Sequence, residues 1–225
     1  MGHPDVDLRD LVGADILDQG MRPTCVTFAA SAAHEAMRTL QGEDAEHLSP
    51  EALWAYCSTN GTASVDGMLL ADAGPALEND GQPLLRDWPY ADTARAAPSS
   101  AGAPPWHRAA LVPLELSRDG VEAEIEDQLQ TGVPVILILE TTDEFLLTDA
   151  DGFIAVPDIR AGHGGYHAVT CVGAATHPTA GRHLLVKNSW GEEWGAGGYG
   201  WLPLDYLRGF GAQAATVGPR NEVIL

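Results

Sequence analysis

The sequence predicts an α+β fold, with helices in the first half of the chain and strands in the second. Apolar residues recur at helical spacing early in the chain, whereas short apolar or β-branched runs punctuated by Gly, Pro and Asp dominate later. Helices followed by strands are typical of α+β folds, because a parallel α/β sheet requires the two to alternate. With 225 residues, the chain suits one large domain or two small lobes that share an interface.

Local signals predict the ends of the first two helices. Thr24 suits the N-cap position of a helix that ends at Gln41-Gly42. A second helix begins at Ser49-Pro50, because Ser is a favoured N-cap and Pro is favoured in the first helical turn. The apolar or small residues on one face of the first helix are Cys25, Phe28, Ala29, Ala32, Ala33, Ala36 and Leu40.

Two further helices are predicted on either side of a loop. The segment DGMLLADAGPALENDG predicts a third helix, which Gly74-Pro75 must kink or split. The segment DGVEAEIEDQLQTG predicts a fourth, with Val121, Ile125 and Leu129 on one face. Residues 91–105 are rich in Ala, Pro, Ser and Gly, and this composition indicates a surface loop or crossover.

The second half of the chain contains five predicted strands. Each is short and apolar or β-branched, and each is bounded by residues that favour turns. The segments are VPVILILE, GFIAV, HAVTCVG, HLLVKNS and GYGWLP.

The charge balance limits the partners of this protein. The chain has 32 acidic and 12 basic residues, giving a formal net charge of −20. Nucleic acids and anionic membranes are therefore not expected as partners, because both attract basic surfaces. No apolar run is long enough to span a bilayer, and the polar N-terminus lacks a signal-peptide pattern. Together with the sparse cysteines, this predicts a cytoplasmic protein.

Three cysteines do not form a disulfide framework, and only one of them calls for a chemical explanation. Cys57 lies in a helical pattern and Cys171 in a strand pattern, so both are interpreted as small buried apolar residues. Cys25 opens the first helix, where free N–H groups and the helix dipole favour a thiolate. We therefore expect a lowered Cys25 pKa and an imidazolium partner elsewhere in the chain.

Among eight histidines, His167 is the best candidate partner. It begins the apolar strand HAVTCVG, which would hold the ring at the edge of a rigid core. About twenty residues later comes VKNSWGEEWGAGGYG, in which Asn188 can orient the imidazole and Trp190 and Trp194 can shield their hydrogen bond. His163 lies in a Gly-rich loop. The remaining six are interpreted as solvated surface residues: His3, His34, His47, His107, His177 and His183.

The segments DQGMRPTCVTFA, GYHAVTCVG and VKNSWGEEWGAGGYG, in this order and spacing, resemble the papain-like cysteine peptidases. The resemblance implies a two-lobe α+β fold: a helical lobe over about 10–110 and an antiparallel β-barrel-like lobe over about 111–220, within one domain, 1–225, and with the active site between them. Within this family, the sequence resembles a bacterial, cytosolic type that lacks disulfides.

The resemblance also implies roles for individual residues. Cys25 is the nucleophile, His167 the general base and acid, and Asn188 its orienting residue. The side-chain amide of Gln19 and the backbone N–H of Cys25 form the oxyanion hole. The implied substrate-binding residues are Gly67, Met68, Leu69, Val135, Ala168 and Trp190. Neither a metal nor another cofactor is expected, and the implied partner is a peptide or protein substrate.

The sequence departs from the family pattern at positions near the implied nucleophile and histidine. The usual Cys-Gly-Ser-Cys-Trp is Arg22-Pro23-Thr24-Cys25-Val26 here, so an upstream cysteine is missing and Pro23 replaces a glycine that allows close approach of substrate. Tyr166 precedes the histidine where many relatives have Asp, which is expected to alter the pH dependence. The altered Arg-Pro-Thr entry and the single-domain cytosolic form favour a selective processing protease over bulk digestion.

Two other function classes stay open at this stage. An amine could attack the acyl-enzyme instead of water, giving a transpeptidase, a ligase or an amide transferase. A non-catalytic peptide-binding module is the lesser alternative, because such relatives usually lose the nucleophile and Cys25 is intact. The sequence does not define the oligomeric state.

Overall fold

The computed structural model describes residues 3–115, 121–158 and 165–220. His163 lies outside these ranges, as does the side chain of Val121. The described α-helices are α1 Cys25–Leu40, α2 Pro50–Thr59, α3 Ala73–Asn79, α4 Val121–Gln130, α5 Asp143–Leu146 and α6 Leu204–Phe210. The described strands are β1 Val6–Asp7, β2 Ala63–Ser64, β3 Gly67–Met68, β4 Ala110–Leu114, β5 Val135–Glu140, β6 Tyr166–His177, β7 Gly181–Lys187, β8 Tyr199–Pro203 and β9 Gly211–Gly218.

The helix ends follow the local sequence signals. The Ser49 hydroxyl accepts a hydrogen bond from the Ala52 N–H at the start of α2, as an N-cap does. The predicted third helix begins as a 3-10 turn, Leu70–Asp72, and continues as α3. Pro75 therefore lies in the first turn of α3, where its missing N–H costs no hydrogen bond. The Gly-Pro pair is accommodated at a helix start rather than at a kink.

The main sheet is antiparallel and has seven strands among the described residues. Its order is β4-β9-β5-β6-β7-β8, and β1 pairs with the far end of β6. The short strands β2 and β3 form a separate hairpin. The α+β prediction is confirmed, while the described strands form an open path rather than a closed barrel. Of the five predicted strands, GFIAV is wrong: its one pairing is an isolated bridge from Phe153 to Trp201.

The sheet carries apolar residues on both faces. Ile136 and Ile138 of β5 pack into a core formed with α1, α2 and α3. Leu137 and Leu139 alternate with them and pack into a second core, which includes residues of α4, α5 and α6. The sheet is thus covered by helices on both faces, and the predicted division into lobes near residue 110 stays a prediction.

Helix α1 is buried almost all round, because it lies between the other early helices and the sheet. The interpretation of His34 as a surface residue is therefore wrong: it is 0% exposed and its Nδ1 lies 3.0 Å from Gln82 Oε1. His183 is also buried rather than solvated. Cys57 and Cys171 are buried, as expected, and all three cysteines are unpaired. Within the described ranges, no helix has the length and apolar character to cross a bilayer.

Candidate active site

Cys25 is the first residue of α1 and lines a cleft of about 900 Å³. Thr24 occupies the N-cap position, but its hydroxyl does not cap the helix and instead bonds to Tyr90 Oη at 2.7 Å. The N–H groups of Cys25 and Val26 thus stay available to the cleft, whereas that of Thr27 donates to the Thr24 carbonyl at 2.9 Å. The N–H groups of Ala168, Val26 and Cys25 itself stabilise the thiolate.

The expectation of a lowered thiol pKa is not met. Burial of Cys25 raises the pKa of its thiol, and this effect exceeds the opposing contribution of the backbone N–H groups. A helix N-terminus stabilises the anion as predicted, but desolvation of the anion costs more.

His167 lies at the start of β6, next to Ala168, whose N–H faces the Cys25 thiol. Its Nε2 is 2.7 Å from Asn188 Oδ1, so Nε2 carries the proton and Nδ1 is the free basic nitrogen. Burial lowers the pKa of His167 to about 4, although the hydrogen bond to Asn188 raises it. The imidazole is therefore held neutral and in one tautomer.

Aromatic rings cover the hydrogen bond between His167 and Asn188. The Trp190 ring centroid is 4.3 Å from that of His167, and the Phe145 centroid is 6.0 Å away. Phe145 is fully buried and also contacts Trp194, whose Nε1 donates to the Phe145 carbonyl at 3.0 Å. The sequence analysis named the two tryptophans but missed Phe145, which no local motif marks.

Gln19 is held with its amide in one orientation. Its Nε2 donates to the Arg22 carbonyl at 2.8 Å, and its Oε1 accepts from Ser189 Oγ at 2.7 Å. A carbonyl can only accept, so the amide nitrogen must lie on this side. The second hydrogen on Nε2 is left for a group in the cleft, which Gln19 lines together with Cys25. Ser189 was missed as a supporting residue, although it lies within the motif that contains Asn188.

Five of the six predicted substrate-binding residues line the same cleft. They are Gly67, Met68, Leu69, Ala168 and Trp190. Gly67 has a φ of 109°, which L side chains rarely adopt, so the β2–β3 hairpin requires glycine here. An added Cβ would lie 3.5 Å from the Pro23 carbonyl oxygen, so Pro23 faces Gly67 at close range.

Val135 does not reach the cleft, and this expectation is wrong. Its side chain is fully buried in the core on the opposite face of the sheet, with Leu137 and Leu139. Ile138 lines the cleft instead and pairs with Ala168 across β5 and β6. Since side chains alternate along a strand, the two positions face opposite ways. The sequence predicted the strand correctly, but no local signal indicated which of its residues face the cleft.

A second departure from the family pattern, Tyr166, also lies at the cleft. Tyr166 is 69% exposed and lines the cleft beside His167. The charged side chains lining the cleft are Asp66 and Asp72, and no Lys or Arg joins them among the described lining residues. The surface that faces a substrate is therefore acidic as well as apolar. Within the described ranges, no three His, Cys, Asp or Glu side chains form a group that could hold a metal ion.

A small cavity of about 20 Å³, with both polar and apolar side chains in its lining, lies behind Asn188. It is lined by residues that include Glu35, His47 and Lys187. Asn188 Nδ2 is buried and has no hydrogen-bond partner among the described residues, and the same holds for His47 Nε2. A cavity of this volume accommodates one water molecule, which would supply the missing acceptor to Asn188.

Comparison with known proteins identifies the family to which this chain is similar. Residues 3–210 match the profile of the family described as "Papain family cysteine protease". Cysteine protease 1 of Oryza sativa subsp. japonica is 32% identical over 209 residues, which cover 87% of this chain and 40% of that protein. Thiol protease SEN102 of Hemerocallis sp. is 26% identical over 187 residues, covering 82% of this chain and 49% of that protein.

Solved structures show the same fold. Xylellain, a cysteine protease from Xylella fastidiosa, superposes with a TM-score of 0.77 at 21% identity, covering 97% of this chain and 87% of that one. The Carica candamarcensis cysteine protease CMS1MS2, solved in complex with E-64, superposes with a TM-score of 0.76 at 22% identity, covering 96% and 99%.

The fold and the cleft are those of a papain-like protein with a cysteine at the start of its central helix. The chain belongs to the papain family of cysteine proteases. It spans about half the length, or less, of three curated relatives that it matches, with shares of 49%, 48% and 40%.

Proposed function

We propose that this chain is a cysteine peptidase that hydrolyses peptide bonds through Cys25, His167 and Asn188, with an oxyanion hole formed by Gln19 and the Cys25 N–H. The observation that carries this proposal is the orientation of the polar groups around one cleft. The hydrogen bond to Asn188 leaves His167 Nδ1 basic, and the bonds to Gln19 leave one Nε2 hydrogen without a partner among the described residues. Both features suit attack on a carbonyl group beside them.

The chemistry begins with transfer of the Cys25 thiol proton to His167 Nδ1. The thiolate attacks the substrate carbonyl carbon, and the resulting oxyanion accepts hydrogen bonds from the Cys25 N–H and Gln19 Nε2. His167 then donates its proton to the leaving amine as the C–N bond breaks, which leaves a thioester. Water, deprotonated by His167, attacks the thioester and releases the carboxylic acid. The proton returns to the sulfur, and the free enzyme is restored.

Burial disfavours each charge of this pair when it is considered alone, since it raises the pKa of Cys25 and lowers that of His167. Proton transfer creates both charges together, so each stabilises the other in a poorly solvated site. The backbone N–H groups of Ala168, Val26 and Cys25 add stabilisation of the thiolate. The pair is therefore expected to act as a unit rather than as two independent titrating groups.

The cleft supports selective processing of an extended peptide or protein substrate. The backbone of Gly67 can pair with substrate in a β-strand contact, while Met68, Ile138 and Ala168 offer an apolar pocket. Pro23 narrows the passage opposite Gly67. Asp66 on the lining, together with the net charge of −20, favours substrates with basic residues. A cytoplasmic location stays a prediction, in keeping with three unpaired cysteines.

Mass spectrometry of a proteome-derived peptide library, incubated with the protein under reducing conditions, tests this function. A Cys25→Ala variant is the control. New termini produced only by the wild type, flanked by apolar and basic residues, are the expected result. Joined peptides would instead identify a transpeptidase that uses the same acyl-enzyme. An unchanged library would contradict the proposal and leave the non-catalytic binding module.

A further inference from the structure

A buried ion pair lies beside the loop that carries Gln19. The guanidinium of Arg22 donates to both carboxylate oxygens of Glu51, at 2.5 and 3.1 Å, and to the Ala91 carbonyl at 2.7 Å. The two side chains are 10% and 1% exposed, respectively. Such a pair is costly to desolvate, so its geometry must be well satisfied for it to persist. Neither Arg22 nor Glu51 lines the cleft among the described residues.

The surroundings fix this pair in place. Glu51 lies in the first turn of α2, where the helix dipole favours a negative charge, and one of its oxygens accepts the Arg95 N–H at 3.2 Å. The Arg22 guanidinium carbon lies 4.6 Å from the centre of the Tyr90 ring, a cation–π contact. We call Arg22, Glu51 and Tyr90 the Arg22 clamp.

The Arg22 clamp connects directly to the oxyanion hole. The Arg22 carbonyl accepts from Gln19 Nε2 at 2.8 Å and from the Thr24 N–H at 2.9 Å. Tyr90 Oη donates to the Gln19 carbonyl at 2.9 Å. Because that bond uses its only proton, Tyr90 must accept from the Thr24 hydroxyl, whose oxygen makes no capping bond to α1. Both oxyanion donors, Gln19 Nε2 and the Cys25 N–H, are thus arranged through the clamp.

We propose that Arg22 is a positioning residue for the oxyanion hole and acts through its ion pair with Glu51. At the position of Arg22 the papain-like peptidases usually have a cysteine. The inference rests on the proposed function. An oxyanion donor is effective only when it is fixed at the point where negative charge develops. The Gln19 amide is fixed by its hydrogen bond to the Arg22 carbonyl, and the ion pair with Glu51 holds Arg22 in place. Loosening Arg22 would leave the thiol–imidazole pair intact while Gln19 loses its fixed orientation.

The test removes both charges at once, with the double variant Arg22→Leu and Glu51→Leu. Removing only one would leave an unpaired buried charge and risk unfolding, whereas an apolar pair of similar volume is often tolerated. The matched control is Arg182→Leu with Glu126→Leu. That pair is similarly buried, at 14% and 5% exposed, with a contact of 2.5 Å, and it does not line the cleft.

Two reactions of Cys25 separate positioning from general damage. Alkylation by iodoacetamide needs the thiolate, which displaces iodide, but no oxyanion hole. Hydrolysis of a peptide amide needs both, as does binding of a peptide aldehyde, to which the thiol adds as a hemithioacetal. We expect the double variant to lose about 10- to 100-fold in kcat and in aldehyde affinity, with KM and the alkylation rate within about threefold of wild type. The control pair should change none of these.

A conservative variant keeps the test decisive if the double variant does not fold. Arg22→Lys retains one charge but loses the two-oxygen contact and the bond to Ala91, so an intermediate loss of kcat is expected. Unchanged kcat in both Arg22 variants, or alkylation that falls in parallel with kcat, would overturn the positioning role. Absence of any Cys25-dependent hydrolysis by the wild type would instead overturn the proposed function, and this inference with it.

Discussion

Replacement of buried His34 should make the protein less sensitive to acid. His34 is 0% exposed, and burial lowers its pKa to about 4; the positive charges of Arg38 and His107 lower it further, whereas Gln82 and Glu35 raise it. Its Nδ1 donates to Gln82 Oε1 at 3.0 Å. In His34→Asn, the amide nitrogen can replace Nδ1 as the donor, but the side chain no longer binds a proton.

The sign and size of the effect follow from proton linkage. The unfolded chain binds the proton at a pKa near 6.5, well above the folded value of about 4, so acid favours unfolding. No stability is lost to this group above about pH 7, and the loss grows as the pH falls toward 4. At about pH 5 the difference amounts to about 2 kcal/mol for one histidine. His167, with a similar pKa, adds a second contribution of the same sign.

The measurement is urea unfolding at about pH 7.5 and pH 5, in a Cys25→Ala background that prevents self-digestion. The His34→Asn protein should lose about 2 kcal/mol less free energy of unfolding between the two values than its parent. His177→Asn, at an exposed position, is the control and should match the parent. Equal losses in the parent and in His34→Asn would refute the assignment of acid sensitivity to this buried imidazole.

Three further predictions concern the cleft, and four substitutions test them. Asn188→Ala removes the acceptor of the His167 Nε2 proton, so kcat should fall on the order of 10- to 100-fold in steady-state hydrolysis, and a retained kcat would contradict the orienting role. Ile138→Ala should change side-chain preference in a peptide library, whereas Val135→Ala should cost about 2 kcal/mol in urea unfolding and leave preference unchanged; the reverse pattern would contradict the strand phase. Gly67→Ala forces a strained φ and should raise KM, while the free energy of unfolding falls by about 1–3 kcal/mol at most. An unchanged KM would contradict a role of the β2–β3 hairpin in substrate binding.

The sequence predicted those features of the fold that local chemistry determines. Ser49-Pro50 marked the start of α2 because capping is decided within one turn. By contrast, β9 was missed although it lies between β4 and β5 in the sheet. Its sequence, GAQAATVG, has little β-branched or aromatic character, so its strand conformation comes from pairing on both sides rather than from propensity.

The candidate site divides in the same way. Cys25, His167 and Asn188 stand in recognisable segments, and the structure places Cys25 and His167 on the cleft with Asn188 bonded to His167. Glu51 and Tyr90 carry no motif and meet the Gln19 loop only through tertiary contacts across 29 to 71 residues. The phase of β5, which directs Ile138 rather than Val135 to the cleft, depends on which face α1 covers. Such properties belong to the packed molecule rather than to any segment.

Cys25 begins α1, which is buried along most of its length. Greater flexibility at the start of this helix would therefore also disrupt the packing of the core around it. Amide hydrogens of α1 should exchange with deuterium only through global opening, and inactivation by heat should coincide with loss of the whole fold. Engineering for greater heat resistance is then free to act on α4 or on the turn between β6 and β7, neither of which lines the cleft among the described residues. Substitutions within α1 that raise thermal stability are instead expected to lower kcat at nearly every position.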